Sequence, residues 1–462
     1  KAYKSPQDIE WAYQDGEFFI IQTRPITTLT DSNGSTPGLE VDENEYPLLF
    51  AGAPASPGAA SGRVVVIENE DMGNLDKVQV GDVLVTEMTT PDFVPAMKRA
   101  SAIVTDQGGR TAHAAIISRE LGIPCVVGTG IATEQLAGGD VITVDGSSGR
   151  VYKGAVPDAA VQVDEYSAAS DLKTRTNIYV NLAEPDLAEV VAARNVDGIG
   201  LLRAEFIVAR IGEHPRLMLE EGRGSEFTEK LAEGLTSFAS AFDPRPVIYR
   251  ATDFKTNEYR NLRGGDRFEP VEENPMIGYR GAARYIKEPD LFAIEIEAVK
   301  QVREKYKNLH VMIPFVRTVD ELIHTKSLLE QYGLKRGEDG FKLWMMAEVP
   351  SNVLLLDQFI DVGIDGVSIG SNDLTQLVLG VDRDSATLVQ DFDERNAAVM
   401  HSLERIVTTA RNRGITCSIC GQAPSFFPDL TAKLVEWGIT SVSVSPDVIN
   451  KTRQIVFDCE NS

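Results

Sequence analysis

Cysteine is scarce in this sequence, and long apolar runs are lacking. The 462 residues contain four cysteines, Cys125, Cys417, Cys420 and Cys459. So few thiols cannot hold a large fold together through disulfides, which favours the reducing cytoplasm as the location of the chain. A membrane-spanning helix needs an apolar run of about 18 residues. The sequence has no such run, so we expect no membrane partner.

Basic residues are fewer than acidic ones, and the first residue is not methionine. Lys and Arg number 45 against 69 Asp and Glu, which gives a formal net charge of −24. A field of that sign repels phosphate backbones, so we expect no nucleic-acid partner. The chain begins at Lys1 without Met or an apolar signal segment, so we expect a fragment or a processed chain.

What remains is the composition of a globular protein, 43% hydrophobic and 25% charged. The length suggests about three domains. A strand-like segment within residues 1–30 ends at Pro25, and because a lone strand is unstable we expect its partners to be missing. Residues 31–46 are polar and acidic and are predicted to form a linker.

Short β-type runs around a single helical stretch predict a small α/β domain over residues 47–155, followed by a linker over 156–175. The helical stretch covers 112–121 and should stop at Gly122. The runs lie at 62–67, 82–86, 102–105, 124–127 and 141–144.

Residues 176–458 alternate short apolar runs with helical patterns. Eight such runs over roughly 280 residues are typical of a (β/α)8 barrel, so the predicted fold class is α/β. The seventh run follows a long helical pattern and is the weakest of the eight. The runs lie at 178–181, 199–202, 247–250, 311–315, 343–348, 367–370, 417–420 and 442–445.

Unusual polar residues stand where these runs end, at Arg203, Arg250, Glu348, Asp373 and Cys420. In such barrels the active site lies at the carboxyl ends of the strands, so we expect these side chains on one rim. Arginine offers a fork for carboxylate or phosphate, and paired carboxylates suit Mg²⁺. A thiol is a candidate acid or base. In the alternative interpretation the arginines pair with the carboxylates structurally and the thiol is merely buried.

This set implies a small, doubly anionic phospho-acid held against a metal, with Asn372 available to donate to a substrate oxygen. Cys417 and Cys420 also form a CxxC pattern. Their odd separation points the two thiols to opposite faces of a strand, which disfavours a zinc or redox site.

A second signal is the segment TDQGGRTAHAAII at 105–117, in which a strand, a Gly-Gly turn and a helix start follow in order. Thr111 is the predicted N-cap and places His113 in the first turn, with Arg110 near by. The helix dipole there favours a neutral imidazole and stabilises an attached phosphoryl group. The alternative is a histidine packed at a helix start. The remaining histidines lack this setting and are predicted to be structural or exposed: His214, His310, His324 and His401.

Several motifs, covering nearly all of residues 1–458, resemble the phosphoenolpyruvate-utilising enzymes. The stretch TDFKTNEYRNLRGG favours the synthase branch of that family over the pyruvate phosphate dikinases and over enzyme I of the sugar phosphotransferase system. The motifs are GGRTAHAAIISRELGIPCVVG (108–128), GLLRAEF (200–206), VIYRATDFKTNEYRNLRGG (247–265), ENPMIGYRGAARY (273–285), AEVPSN (347–352), SIGSNDLTQ (368–376) and CGQAPS (420–425).

The resemblance implies that the full enzyme makes phosphoenolpyruvate, AMP and phosphate from pyruvate, ATP and water. His113 would be the phosphorylated carrier, on a small domain that swivels between a nucleotide domain and the barrel. Cys420 would move the proton on the substrate methyl carbon, Glu348 and Asp373 would hold Mg²⁺, and relatives form homodimers through the barrel. The residues implied to bind pyruvate or phosphoenolpyruvate are Arg203, Arg250, Arg280, Glu348, Gly370, Ser371, Asn372 and Asp373.

The sequence departs from the family at its start, where only the tail of an ATP-grasp nucleotide domain is recognisable. Glu10, Gln22 and Arg24 would lie near ATP in the full enzyme but cannot form a nucleotide site alone. We therefore expect this chain to retain only the half-reaction between phosphoenolpyruvate and His113. Ala112 replaces a hydroxyl or thiol residue that relatives often carry, and Thr111 is expected to supply the missing hydrogen bond.

Three alternatives stay open beside this interpretation. The chain could be a dikinase or an enzyme I-like phosphotransferase, although the QTRPI segment at 22–26 argues against the latter. It could be a non-catalytic regulatory module, although His113, Glu348, Asp373 and Cys420 are all retained. The last alternative is a barrel protein of unrelated chemistry, which the agreement of so many motifs disfavours.

Overall fold

A computed structural model describes residues 7–14, 17–25, 39, 41–68, 72–110, 112–157, 171–383, 388 and 391–462. Near the start, β1 (Gln7–Gln14) and β2 (Glu17–Pro25) form an antiparallel hairpin in which Glu10 pairs with Gln22. The expectation that the second strand lacks a partner within this chain is therefore wrong.

The next unit, residues 48–153, is an α/β domain built on one sheet, and we call it the small domain. Its sheet has the order β3-β10-β9-β5-β6-β7-β8-β4, with β5 to β8 parallel. All five predicted runs are strands, and β3, β4 and β10 were not predicted. The strands are β3 (Leu48–Ala51), β4 (Ala53–Ser56), β5 (Ala59–Ile67), β6 (Val83–Thr86), β7 (Ala102–Thr105), β8 (Cys125–Val127), β9 (Val141–Asp145) and β10 (Arg150–Lys153).

Short helices cover this sheet: α1 (Val94–Met97), α2 (His113–Leu121) and α3 (Ala132–Gln135). Helix α2 ends where predicted, because Gly122 adopts the left-handed conformation with φ 68° that closes helices. Its start differs from the prediction: the N-cap is Ala112, which is extended and provides no side-chain cap. Thr111, the predicted cap, lies outside the described residues.

The remainder of the described chain folds around a closed barrel of parallel strands, β11 to β18 in sequence order. All eight predicted runs are barrel strands, and the seventh, the weakest prediction, pairs with both neighbours. The strands are β11 (Asn177–Leu182), β12 (Gly198–Arg203), β13 (Val247–Arg250), β14 (Leu309–Ile313), β15 (Leu343–Ala347), β16 (Gly366–Ile369), β17 (Thr416–Ile419) and β18 (Ser441–Val444).

Helices surround the barrel, and apolar side chains on alternate strand positions pack against them to form the main core. The other strand positions face the barrel interior, where Leu201, Ile248, Met312 and Trp344 form a separate cluster. The helices are α4 (Ala188–Ala192), α5 (Glu205–Ile211), α6 (Pro215–Glu220), α7 (Gly224–Phe242), α8 (Thr256–Arg260), α9 (Ala282–Lys287), α10 (Pro289–Lys305), α11 (Val319–Gln331), α12 (Pro350–Leu354), α13 (Leu356–Asp361), α14 (Ser371–Leu379), α15 (Ala397–Asn412), α16 (Ala423–Phe426), α17 (Pro428–Trp437) and α18 (Ile449–Asn461). Within the described ranges, no helix has both the length and the apolar character needed to cross a membrane.

The small domain is docked on the barrel through helix α2 and the segment around Lys98. Lys98 Nζ lies 2.7 Å from a carboxylate oxygen of Asp186, which follows the first barrel strand. Phe206 and Ala183 of the barrel pack within one of the apolar clusters of the small domain. This packing brings the start of α2 to the carboxyl ends of the barrel strands.

Candidate active site

His113 begins helix α2 and faces the barrel rim. Its Nδ1 atom lies 2.8 Å from the hydroxyl oxygen of Thr89, which follows strand β6. The ring stacks on Phe206 of the barrel, with centroids 5.5 Å apart and planes inclined by 21°. The Nε2 atom is buried and has no hydrogen-bond partner among the described residues. An unpartnered nitrogen at this point is open to a ligand atom.

The protonation state of His113 follows from its surroundings. Burial lowers its pKa to about 4, and the nearby cations Lys255 and Arg203 act in the same direction, while Glu258 opposes them. The imidazole is therefore neutral near pH 7, and neutral imidazole is the nucleophilic form. With Nδ1–H donating to Thr89, the lone pair would reside on Nε2.

Arg203 and Arg250 end the neighbouring strands β12 and β13, as predicted. Arg203 Nη1 donates to Glu120 of the small domain at 3.0 Å, and Arg250 Nη2 donates to Glu205 at 2.8 Å. Each guanidinium is thus paired with a carboxylate, as in the alternative interpretation, but neither partner is one of the predicted metal carboxylates. Both arginines still converge on one rim.

Glu348 and Asp373 follow strands β15 and β16 on that rim. Glu348 Oε1 accepts the backbone N–H of Phe315 at 2.6 Å. Asp373 accepts from Arg383 at 2.9 Å and from Arg280 at 3.1 Å, one arginine on each oxygen. The two carboxylates therefore belong to one buried cluster of alternating charge.

Burial raises the pKa of Glu348 to about 8, and the negative charge of Asp373 adds to the effect. Burial opposes ionisation of Asp373 too, but Arg383 and Arg280 outweigh it and lower the pKa of that carboxyl. Arg280 and Arg250 lower the pKa of Glu348 but do not outweigh its burial. Two buried carboxylates completed by water or substrate oxygens fit Mg²⁺. The described residues contain no group of three or more His, Cys, Asp and Glu ligands.

The start of helix α14 supplies the next predicted residues. A Cβ on Gly370 would lie 2.8 Å from Glu348 Oε2, so only glycine leaves room for that carboxylate. Ser371 donates its hydroxyl to Glu394 at 2.7 Å. Asn372 accepts the backbone N–H of Gln422 through Oδ1 at 3.1 Å, which leaves its amide donors for another group.

Cys420 follows β17 and belongs to the barrel-interior cluster, whereas Cys417 packs in the core between strands and helices. The expectation that the two thiols point to opposite faces is confirmed. Burial raises the pKa of Cys420 to about 11, with Glu348 acting in the same direction and Ser368 opposing it. The thiol is therefore protonated near neutral pH and can serve as a proton donor.

The other predicted residues lie apart from this rim or serve it indirectly. Arg280 donates to both oxygens of Asp253 and stacks over Phe315, with its guanidinium carbon 4.1 Å from the ring centroid. Glu10, Gln22 and Arg24 lie on the β1–β2 hairpin, for which the backbone alone is described. Among the other histidines, His214 is buried and pairs with Glu269, His310 is buried in β14, and His324 and His401 are exposed.

Sequence reasoning missed several residues that contact the predicted ones. Thr89, Asp253, Arg383 and Glu394 lie outside the helices and strands, whereas Glu120 lies on α2 and Glu205 begins α5. Only a placement rule would have suggested Thr89: like His113, it follows a parallel strand of the small domain at the same sheet edge. The missed contacts come from Thr89, Glu120, Glu205, Asp253, Arg383 and Glu394.

Comparison with known proteins places this architecture in a family. Residues 158–460 match the model for the PEP-binding domain of PEP-utilising enzymes, and residues 78–149 match the mobile domain of the same enzymes. Residues 1–44 match the AMP/ATP-binding domain of pyruvate phosphate dikinase.

Similar whole sequences carry the name phosphoenolpyruvate synthase. The protein of that name from Aeropyrum pernix is 48% identical over 99% of this chain and 59% of its own length. Those from Pyrococcus furiosus and Pseudomonas aeruginosa are 46% and 45% identical over 98% of this chain, and over 56% and 60% of their own lengths. The chain thus spans less than two thirds of the curated relatives it matches. These matches cover the small domain and the barrel together, and the chain belongs to the family of PEP-utilising enzymes.

Proposed function

We propose that this chain transfers a phosphoryl group between phosphoenolpyruvate and Nε2 of His113, as the barrel half-reaction of a phosphoenolpyruvate synthase. One observation carries the proposal: the buried, unpartnered Nε2 of a neutral His113 faces a rim on which Arg203 and Arg250 converge. A nucleophile and anion-binding groups at one place are what phosphoryl transfer requires.

The residues of the rim have different roles, which follow from the chemistry of their side chains. Arg203 and Arg250 bind the carboxylate and phosphoryl oxygens of the substrate, while Arg280 holds Asp253 and Asp373 in place. Arg280, Gly370 and Ser371 line or support this site, and Asn372 donates its amide to a substrate oxygen.

Glu348 and Asp373 would hold Mg²⁺, which would offset negative charge on the enolate and phosphoryl oxygens. In the transfer, Nε2 of His113 bonds to phosphorus while the bond from phosphorus to the enol oxygen breaks. The electron pair stays on that oxygen. The thiol of Cys420 then donates its proton to the methylene carbon, which yields pyruvate, and the thiolate regains a proton from water.

The use of ATP, the pairing of two copies and the location of the protein are further parts of this proposal. The full reaction consumes ATP, and we expect this chain by itself to leave ATP unused because its match to an AMP/ATP-binding domain is confined to residues 1–44. Pairing of two copies through the barrel stays a prediction, as does the cytoplasmic location.

The test uses phosphoenolpyruvate labelled in its phosphoryl group, incubated with the chain and Mg²⁺. Acid-labile label on the protein and an equivalent of pyruvate are expected, and both should vanish in His113→Ala. His401→Ala removes an exposed histidine and is the matched control. Label that persists in His113→Ala would reject His113 as the carrier. Failure of the unaltered chain to take up label while it binds phosphoenolpyruvate would reject the half-reaction.

A further inference from the structure

Two consecutive residues of helix α2, Arg119 and Glu120, reach from the small domain into the barrel. Arg119 donates from Nε and Nη2 to one oxygen of Asp447, at 3.1 and 2.7 Å. Glu120 accepts from Arg203 on one oxygen at 3.0 Å and from the backbone N–H of Ala183 on the other at 2.9 Å. Both oxygens of one small-domain carboxylate are therefore engaged by barrel groups.

This carboxylate lies where a counter-charge is needed. Arg203 is 8% exposed once the small domain is docked, and Glu120 is 5% exposed. A guanidinium buried without an anion is strongly unfavourable, so a domain that covers Arg203 must bring a negative charge with it or find one already bound. Glu120 supplies that charge in the structure, and its second hydrogen bond to Ala183 fixes its direction.

The ion pair between Glu120 and Arg203 differs from the other ion pairs between the small domain and the barrel, because it involves a residue of the predicted substrate site. Lys98 pairs with Asp186 and Glu184, and Arg119 pairs with Asp447, and none of these partners belongs to the predicted substrate site. Glu120 instead engages the end of β12, at the arginine that the proposed function assigns to the substrate.

We propose that Glu120 is a positioning residue that the small domain supplies to the barrel site: it pairs with Arg203 and fixes that guanidinium whenever the domain carrying His113 is docked. Docking and the orientation of a substrate-binding arginine are thereby linked. The link to substrate rests on the proposed function, whereas the link between Glu120, Arg203 and docking does not.

Burial shapes the electrostatics of this contact. It raises the pKa of Glu120 to about 7, and Glu184 acts in the same direction, whereas the charge of Arg203 and the Ala183 hydrogen bond oppose the shift. Arg203 and the Ala183 amide thus offset part of the penalty that burial places on the Glu120 anion. Removing either partner leaves the other without compensation, so the two substitutions should not act independently.

The first experiment measures docking without any chemistry. Hydrogen exchange of the Ala183 amide reports its bond to Glu120, and it is followed in Glu120→Gln, Arg203→Gln and the double variant. Each single substitution should accelerate this exchange by about tenfold or more, and the double variant should exchange no faster than the faster single variant. Glu134→Gln, at an exposed position of the same domain, is the matched control and should change nothing.

Two results of this experiment would overturn the proposal. One is unchanged exchange at Ala183 in Glu120→Gln, and the other is acceleration in the double variant equal to the product of the two single effects. Amides of Ile103 and Val104 in β7 must keep slow exchange, which distinguishes undocking from unfolding. Glu120→Asp keeps the charge on a shorter side chain and replaces Glu120→Gln if that variant does not fold.

The second experiment separates positioning from general damage. Glu120→Gln should slow phosphoryl transfer from phosphoenolpyruvate to His113 by about tenfold. Proton exchange at the pyruvate methyl group needs only the barrel, and should stay within about twofold of the unaltered chain. Equal losses in both reactions, or no loss in either, would reject the positioning role. If the unaltered chain transfers no phosphoryl group, the proposed function fails, and the exchange experiment still decides whether Glu120 and Arg203 act together in docking.

Discussion

The imidazole Nδ1 of His113 and the hydroxyl oxygen of Thr89 lie 2.8 Å apart, although the two residues are separated by 24 positions in the chain. Thr89 follows β6 and His113 begins the helix after β7, and these strands are parallel neighbours. This contact fixes the ring orientation, and when the hydroxyl accepts Nδ1–H the lone pair is left on Nε2. Thr89 therefore supplies a hydroxyl partner for the imidazole that was not predicted from the sequence.

Replacing Thr89 tests this relationship directly. Thr89→Ala should slow phosphorylation of His113 by about tenfold, since the loss of one hydrogen bond costs about 1 kcal/mol and frees the ring to rotate. Thr89→Ser keeps the hydroxyl and should stay close to the unaltered rate, and Thr90→Ala is the neighbouring control. Rapid-quench measurement of labelled protein gives the rates. Equal rates for the alanine and serine variants would show that the hydroxyl is not used.

Replacing Cys420 should separate the two halves of the barrel chemistry. The thiol is protonated near neutral pH because burial raises its pKa to about 11. Without it, proton exchange at the pyruvate methyl group should fall by about a hundredfold or more in Cys420→Ala, while single-turnover phosphorylation of His113 persists. The exchange is followed by NMR in deuterated water. Cys417→Ala, on the opposite face of the same strand, should keep both activities, and simultaneous loss of both in Cys420→Ala would mean a structural role.

The buried His310 of β14 should make the stability of the protein depend on pH in a defined direction. Burial lowers its pKa to about 4, below the 6.5 of an unburied histidine. Above pH 6.5 the residue is neutral in both folded and unfolded chains and contributes nothing to the pH dependence. As the pH falls from 6.5 towards 4, the unfolded chain binds a proton that the folded one does not, so stability is lost.

His310→Gln removes that proton site. The free energy of unfolding of the unaltered chain, relative to that of His310→Gln, should therefore fall by about 1.4 kcal/mol for each pH unit below 6.5. The total loss at pH 4 should be roughly 3 kcal/mol. Urea unfolding followed by barrel fluorescence at several pH values measures this difference. The exposed His401→Gln should show a much smaller slope. A difference that does not vary with pH would contradict the assignment of His310 as a neutral buried group.

Arg119 and Asp447 allow a test of docking outside the substrate site. Arg119→Asp should accelerate exchange of the Ala183 amide and slow phosphorylation of His113, because it places two carboxylates against each other. The double variant Arg119→Asp, Asp447→Arg restores opposite charges and should recover part of both effects. Recovery should be incomplete, since Arg119 also stacks over Phe426, with its guanidinium carbon 4.4 Å from the ring centroid. No recovery at all would indicate that the ion pair does not support docking.

The pattern of the sequence was sufficient to predict the architecture. The eight runs of the barrel and five strands of the small domain were visible because strands buried on both faces form short continuous apolar runs. The missed strands β3, β4 and β10 have at most two buried residues each, whereas β6, β7 and β8 are buried throughout. The hairpin β1–β2 was half recognised, since only its second strand ends in a proline.

Placement of the candidate site followed from one topological rule. Because every barrel strand presents its carboxyl end to the same rim, Arg203, Arg250, Glu348, Asp373 and Cys420 converge without any knowledge of the loops. Residue chemistry then suggested what the rim would bind. What each residue contacts was beyond that rule: Arg203 pairs with Glu120, Asp373 with Arg383, and Ser371 with Glu394.

The sequence by itself thus determined the order of strands and helices, the position of a histidine at a helix start, and the set of polar residues at the barrel rim. These properties depend on neighbours a few residues away, which the linear pattern records. Only the tertiary structure decided that Thr89 orients His113 and that Glu120, 83 residues before Arg203, meets it across the domain contact. Such contacts depend on how loops close and how two separate units pack, and no local periodicity encodes that.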